Sequence, residues 1–167
     1  MIKKDFAYAI ELPYWQAPND DIVIKSQNDS LSAFFKIWVS PAKYSVYTGI
    51  FKFSYVWAMR FERNKNLYYY INSEEDNYRA CYWIIPDSSW LEKLKKERYS
   101  FFPDWEKYDL GEYFHYIIQS NKFYIEIIAK DLKISKKNYI KFFRIFLNYP
   151  SSLKNSLEIL ILLIILA

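Results

Sequence analysis

Between Ile50 and Arg63 the chain alternates in side-chain size and polarity. Phe51, Phe53, Tyr55, Trp57, Met59 and Phe61 occupy one set of positions; Lys52, Ser54, Val56, Ala58, Arg60 and Glu62 occupy the other. Successive side chains of a strand point to opposite faces, so this segment predicts a strand with one large apolar face and Trp57 central on it. Polar turns at Asn64-Lys65-Asn66 and Ser73–Asn77 set off further strands over 67–72 and 78–85, which reads as a meander of three antiparallel strands. Before it, 22–24 and 34–39 read as strands among turn-rich stretches such as Ala17-Pro18-Asn19-Asp20.

After the meander the period changes. Ser89 and Glu92 have the spacing of a capping box, and Trp90, Leu91 and Leu94 follow on one side of a helix running through Arg98. Residues 113–119 and 123–130 predict a hairpin turning near Ser120-Asn121-Lys122. Ser135 is placed to cap a second helix, in which Lys137, Lys141, Arg144 and Asn148 form a narrow polar stripe before Pro150. The end of the chain, LEILILLIILA, extends it as an apolar helical tail over 151–167. A helix over 153–167 is about 22 Å long, short of the roughly 30 Å hydrocarbon thickness of a bilayer, so no transmembrane span is expected.

The expected architecture is α+β in one domain over 1–167. An antiparallel meander sheet of about five to seven strands carries one internal helix, with C-terminal helices packed on it. A chain of 167 residues can bury a sizeable core. One cysteine, Cys81, excludes an internal disulfide. No secretion signal is read at the start of the chain, and a cytoplasmic location is expected.

Aromatic residues make up 22% of the chain, which invites a base-stacking or sugar-binding reading. Lysine, however, outnumbers arginine 18 to 5 and glycine occurs twice, a skew that A/T-rich codons produce whatever the function. The net charge of +4 is mild for a nucleic-acid binder. Within 130–154 the basic residues, Lys137, Lys141 and Arg144 among them, face one acid, Asp131.

Groups able to do chemistry are few. His115 is the single histidine, and its strand setting suits a half-buried structural residue. Cys81 reads as a packed thiol, with a Cys81–His115 dyad as its reactive alternative. Asp104, Glu106, Asp109 and Glu112 interleave with Trp105, Tyr108 and Tyr113, a mixture suited to lining a cleft. Two glycines leave no phosphate-cradling loop, and no cofactor or metal site is expected. The expectation is a non-catalytic binding or interaction protein using the basic helix and apolar tail, with Trp105 and Tyr108 as further contacts. A protein partner or a second copy is expected ahead of an anionic membrane surface or nucleic acid. The alternatives are a small enzyme using His115 with Asp109 and Glu112, and a single-stranded nucleic-acid binder.

Overall fold

The computed structural model describes residues 5–62, 70–71, 82–121 and 123–138. Its elements follow in the order β1 (Asp5–Phe6), β2 (Tyr8–Ala9), β3 (Val23–Gln27), β4 (Ser30–Ser40), β5 (Lys43–Glu62), β6 (Tyr70–Ile71), β7 (Tyr82–Ile85), α1 (Ser89–Phe101), β8 (Phe114–Gln119) and β9 (Tyr124–Asn138), with a short 3-10 turn at Trp105–Lys107. Seven strands form an antiparallel sheet in the order β2-β7-β8-β9-β5-β4-β3; β1 and β6 pair separately.

The meander expected from β5 onward is not the one formed. β5 pairs with β4 and β9, while β7 pairs with β2 and β8. The sheet is thus two runs, β3-β4-β5 and β7-β8-β9, joined by the long β5–β9 ladder. That ladder also overturns the second helix where it can be followed. Lys136, Lys137 and Asn138 continue β9 opposite Gly49, Thr48 and Tyr47. The long β5 offers backbone partners there, and tertiary pairing overrides the local helical pattern. The rest of that segment, with Lys141 and Arg144, and the tail over 151–167 lie outside the described residues, as does Cys81.

One face of the sheet holds the main core. Leu31, Ala33 and Phe35 of β4, Phe51 and Phe53 of β5, Tyr116 and Ile118 of β8, and Ile125, Ile127 and Ala129 of β9 pack together. The Phe51 ring lies 5.7 Å from that of Tyr82, although β9 and β8 separate their strands. The sheet therefore curls, and this is its inner face. The segment between β2 and β3 fills the curl with Leu12 and Ile22. Its Gln16 amide donates to the Gln119 carbonyl at 2.6 Å, and its Ala17 N–H donates to the Lys36 carbonyl at 2.9 Å. It thereby ties β4 to the β8–β9 turn.

The regular alternation of β5 breaks midway. Ser54 faces Asp131 and Val56 faces Ala129, but Ala58 faces Ile128, so β5 carries one extra residue at Trp57. Such a bulge bends the strand and changes which residues face the core. Phe51 and Phe53 are fully buried, whereas Tyr55, Met59 and Phe61 are exposed. Trp57 is half-buried on the opposite side, against Trp105 and Tyr113, rather than central in the main core.

α1 packs on the outer face, where Trp90 meets His115 edge-on at 5.1 Å. Its cap is Ser88, one residue before the expected one: the Ser88 Oγ accepts the Leu91 N–H at 3.0 Å. Ser89 instead donates its N–H and hydroxyl to the Asp5 carboxylate.

Candidate functional site

The end of α1 and the loop after it build an aromatic and charged cluster on the kinked part of β5. Arg98 lies between the rings of Trp57 and Trp105, 5.0 and 4.5 Å from their centres. Its guanidinium donates to Asp109 Oδ2 at 2.5 Å, and the Tyr113 hydroxyl donates to the same oxygen at 2.9 Å. Asp109 Oδ1 accepts from the Lys130 ammonium, which also donates to the Leu110 carbonyl. Partial burial raises the Asp109 pKa, but the bonds from Lys130, Tyr113 and Arg98 outweigh it and bring it down to about 2. One carboxylate thus fastens the loop to the helix, to β9 and to the strand leading into β8.

What this clamp presents is apolar. Tyr108 and Leu110 are each 77% exposed, and with Tyr55 and Phe114 they line a cleft of about 540 Å³. Lys130, Glu112 and Asp131 supply its polar lining. Tyr55 has φ +54, in the left-handed region that a bulky side chain rarely enters. Holding it there costs roughly 1–3 kcal/mol. The strained backbone brings its ring, 53% exposed, to the cleft wall with the Lys130 ammonium 5.4 Å from the ring centre. A wider groove of about 1170 Å³ lies against α1 and shares Asp109, Glu112 and Phe114 with the cleft.

His115 is elsewhere, fully buried beneath α1. Its Nδ1 accepts the Ser88 hydroxyl at 2.8 Å, and its Nε2–H donates to Glu126 at 2.8 Å. Arg60 donates to the same Glu126 oxygen at 2.8 Å and stacks on Trp90, its guanidinium 4.3 Å from the ring centre. Burial pushes the His115 pKa below its ordinary value, against the pull of Glu126, so the ring is neutral at pH 7. Serine, histidine and carboxylate stand in the order of a hydrolytic triad. Yet the Ser88 oxygen also caps α1, and Ser88, His115 and Glu126 are all buried.

The structure places Tyr108, Asp109 and Glu112 in the lining of one cleft and keeps His115 apart from those acids. Trp105 is buried and serves as a platform for Arg98 rather than as an exposed contact. Lys137 is exposed on β9. Tyr55, Phe114 and Lys130 were missed, because the bulge that turns Tyr55 outward leaves no mark on an alternating sequence. Among the described residues no group of three or more histidine, cysteine or acidic residues could hold a metal ion, and no helix is long and apolar enough to cross a membrane. No family model, curated protein or solved structure matches the chain.

Proposed function

We propose that the protein is a binding protein that engages a partner polypeptide at the aromatic cleft. One observation carries this reading: the network centred on Asp109 fixes a loop whose outermost side chains, Tyr108 and Leu110, are apolar and open to solvent. Exposed aromatic side chains clustered on a rigid frame mark contact surfaces, and tyrosine is enriched among the residues that dominate binding energy. The mixed polar lining from Lys130, Glu112 and Asp131 suits a peptide, whose backbone both donates and accepts hydrogen bonds.

Selection from a displayed random-peptide library on the immobilised full-length protein tests this. Selected peptides are expected to lose at least roughly tenfold in affinity to a Tyr108→Ser/Leu110→Ser double variant that keeps the wild-type melting temperature. A protein that selects no peptide, or peptides that bind the double variant equally well, would contradict the reading.

A second reading has the Ser88–His115–Glu126 order behind it. Ser88 Oγ would add to an ester carbonyl as His115 Nδ1 takes its proton; the ester C–O bond then breaks and the alcohol leaves with that proton, while Glu126 steadies the imidazolium between the two steps. Modification of Ser88 by a fluorophosphonate, lost in His115→Gln, would favour that reading; an unmodified protein favours the buried network as an internal brace.

A further inference from the structure

We infer that the polypeptide segment held at the aromatic cleft is basic. It sets an apolar side chain among Tyr108, Leu110 and Tyr55, and a lysine or arginine beside Glu112. This rests on the cleft as the binding site and adds the charge of its occupant. Among the described residues one base lines the cleft, Lys130, and it is spent within the chain. Its ammonium donates to Asp109 Oδ1 and to the Leu110 carbonyl, and its side chain is 12% exposed. Two of the acids beside it are not spent. Glu112 and Asp131 are exposed, and neither forms an ion pair among the described residues. Asp131 shares its side of β9 with the exposed Lys133, so Glu112 is the better placed of the two.

The same sign continues into the groove against α1, which Glu112 also lines. There Lys95 pairs with Glu92 at 3.1 Å and Lys93 with Glu97 at 3.7 Å, so these lysines are answered on the helix itself. Lys96 remains against Asp87, Glu106 and Glu112, all three exposed and without an ion pair among the described residues. The chain as a whole carries a net charge of +4, so this acidic stretch runs against its average.

Acids on a surface are ordinarily just solvated. Here they border exposed rings, and the chain shows twice what that combination holds. Arg98 lies between Trp57 and Trp105 with its guanidinium on Asp109, and Arg60 lies on Trp90 with its guanidinium on Glu126. An aromatic face attracts a cation, and a carboxylate fixes it with charge-assisted hydrogen bonds. At the cleft, Tyr55, Tyr108 and Phe114 supply exposed rings and Glu112 supplies the carboxylate. The charge also selects among classes of partner. A phosphate backbone or an anionic lipid surface would meet Asp87, Glu106 and Glu112 as like charges, which costs affinity. A basic polypeptide brings a cation for the carboxylate and an apolar side chain for the rings.

Three peptide pools of equal length test this on the full-length protein. Each peptide carries one phenylalanine, tyrosine or leucine, flanked by lysine and arginine, by serine and glutamine, or by aspartate and glutamate. The basic pool is expected to bind at least about tenfold tighter than the neutral one at low salt, by a margin that shrinks as salt rises. Glu106→Gln/Glu112→Gln should close most of that margin without moving the melting temperature, because neither side chain has an ion pair to lose among the described residues. An oligothymidylate and phosphatidylserine vesicles should bind more weakly than the neutral pool. Basic and neutral pools that bind alike, a margin that survives in the glutamine variant, or tighter binding of the oligonucleotide or the vesicles would each overturn the inference. The cleft itself still stands in those cases if Tyr108→Ser/Leu110→Ser weakens peptide binding. Should no pool bind, or binding ignore Tyr108→Ser/Leu110→Ser, the cleft reading falls and this inference falls with it.

Discussion

The outer face of the sheet treats charge in two opposite ways. Under α1, Glu126 lies between Arg60 and His115, and the histidine is held in turn by Ser88. Toward β3 and β4 the face carries lysines in rows, with Lys52 opposite Lys133. In the first region each charge is answered inside the chain, because burial without a partner is too costly. In the second, exposed charges stand in solvent, which tolerates two ammoniums set opposite one another. The cover over a sheet face decides which rule applies: beneath the helix the buried charges are paired, while in solvent like charges can stand opposite one another at small cost.

The largest test of this contrast falls on the covered half. Glu126→Ala leaves Arg60 and His115 without their shared carboxylate and should cost about 3–5 kcal/mol in urea unfolding. A loss under about 1 kcal/mol would mean that the network is incidental. An intermediate effect belongs to the Asp109 clamp. Its folded pKa of about 2 lies below the ordinary carboxylate value of 3.8, so its contribution is fully present above the unfolded value and is lost as pH falls through about 2. That window should account for about 2 kcal/mol of acid sensitivity, absent in Asp109→Asn. The comparison to make is the difference in stability between pH 5 and pH 2 for the two proteins.

Smaller still is the effect of strain at Tyr55. Asparagine enters the left-handed region more readily, so Tyr55→Asn should raise stability by up to about 1 kcal/mol while removing one wall of the cleft. Peptides selected on the wild type should bind this more stable variant less well; unchanged binding would take Tyr55 out of the contact surface. Away from the helix, Lys52→Gln relieves the cross-strand repulsion and should stabilise by a few tenths of a kcal/mol at low salt. The gain should fade in high salt, and a gain that ignores salt would mean that the two ammoniums do not repel.

Much of this was legible in the sequence. The strand over β5, the helix after Pro86 and the β8–β9 hairpin all come from local periodicity, and the structure keeps all three elements, although the large-residue face of β5 stays buried only as far as Phe53. The His115–Glu126 pair was within reach as well. A turn at 120–122 sets Ile117 opposite Glu126, which puts His115 and Glu126 on one face within a long side chain's span. What stayed hidden depends on which strands meet. Nothing local to residues 135–138 announces a strand; its partner, residues 47–50, lies far earlier in the chain. The bulge at Trp57 arises from the same pairing, and with it the outward turn of Tyr55 that shapes the cleft.

The β5–β9 ladder that joins the two halves also has a kinetic meaning. β3, β4 and β5 are near neighbours in sequence, as are β8 and β9, so each run can assemble from local hairpins. Joining them pairs Glu62 with Tyr124 at one end and Tyr47 with Asn138 at the other. Closing so long a loop has an entropic cost before any contact rewards it, and domains dominated by such pairings fold in milliseconds to seconds. The rate-limiting step of folding should therefore be this docking, and core substitutions along the ladder, such as Phe51→Leu, should slow folding more than equally destabilising ones within the β3–β4 hairpin.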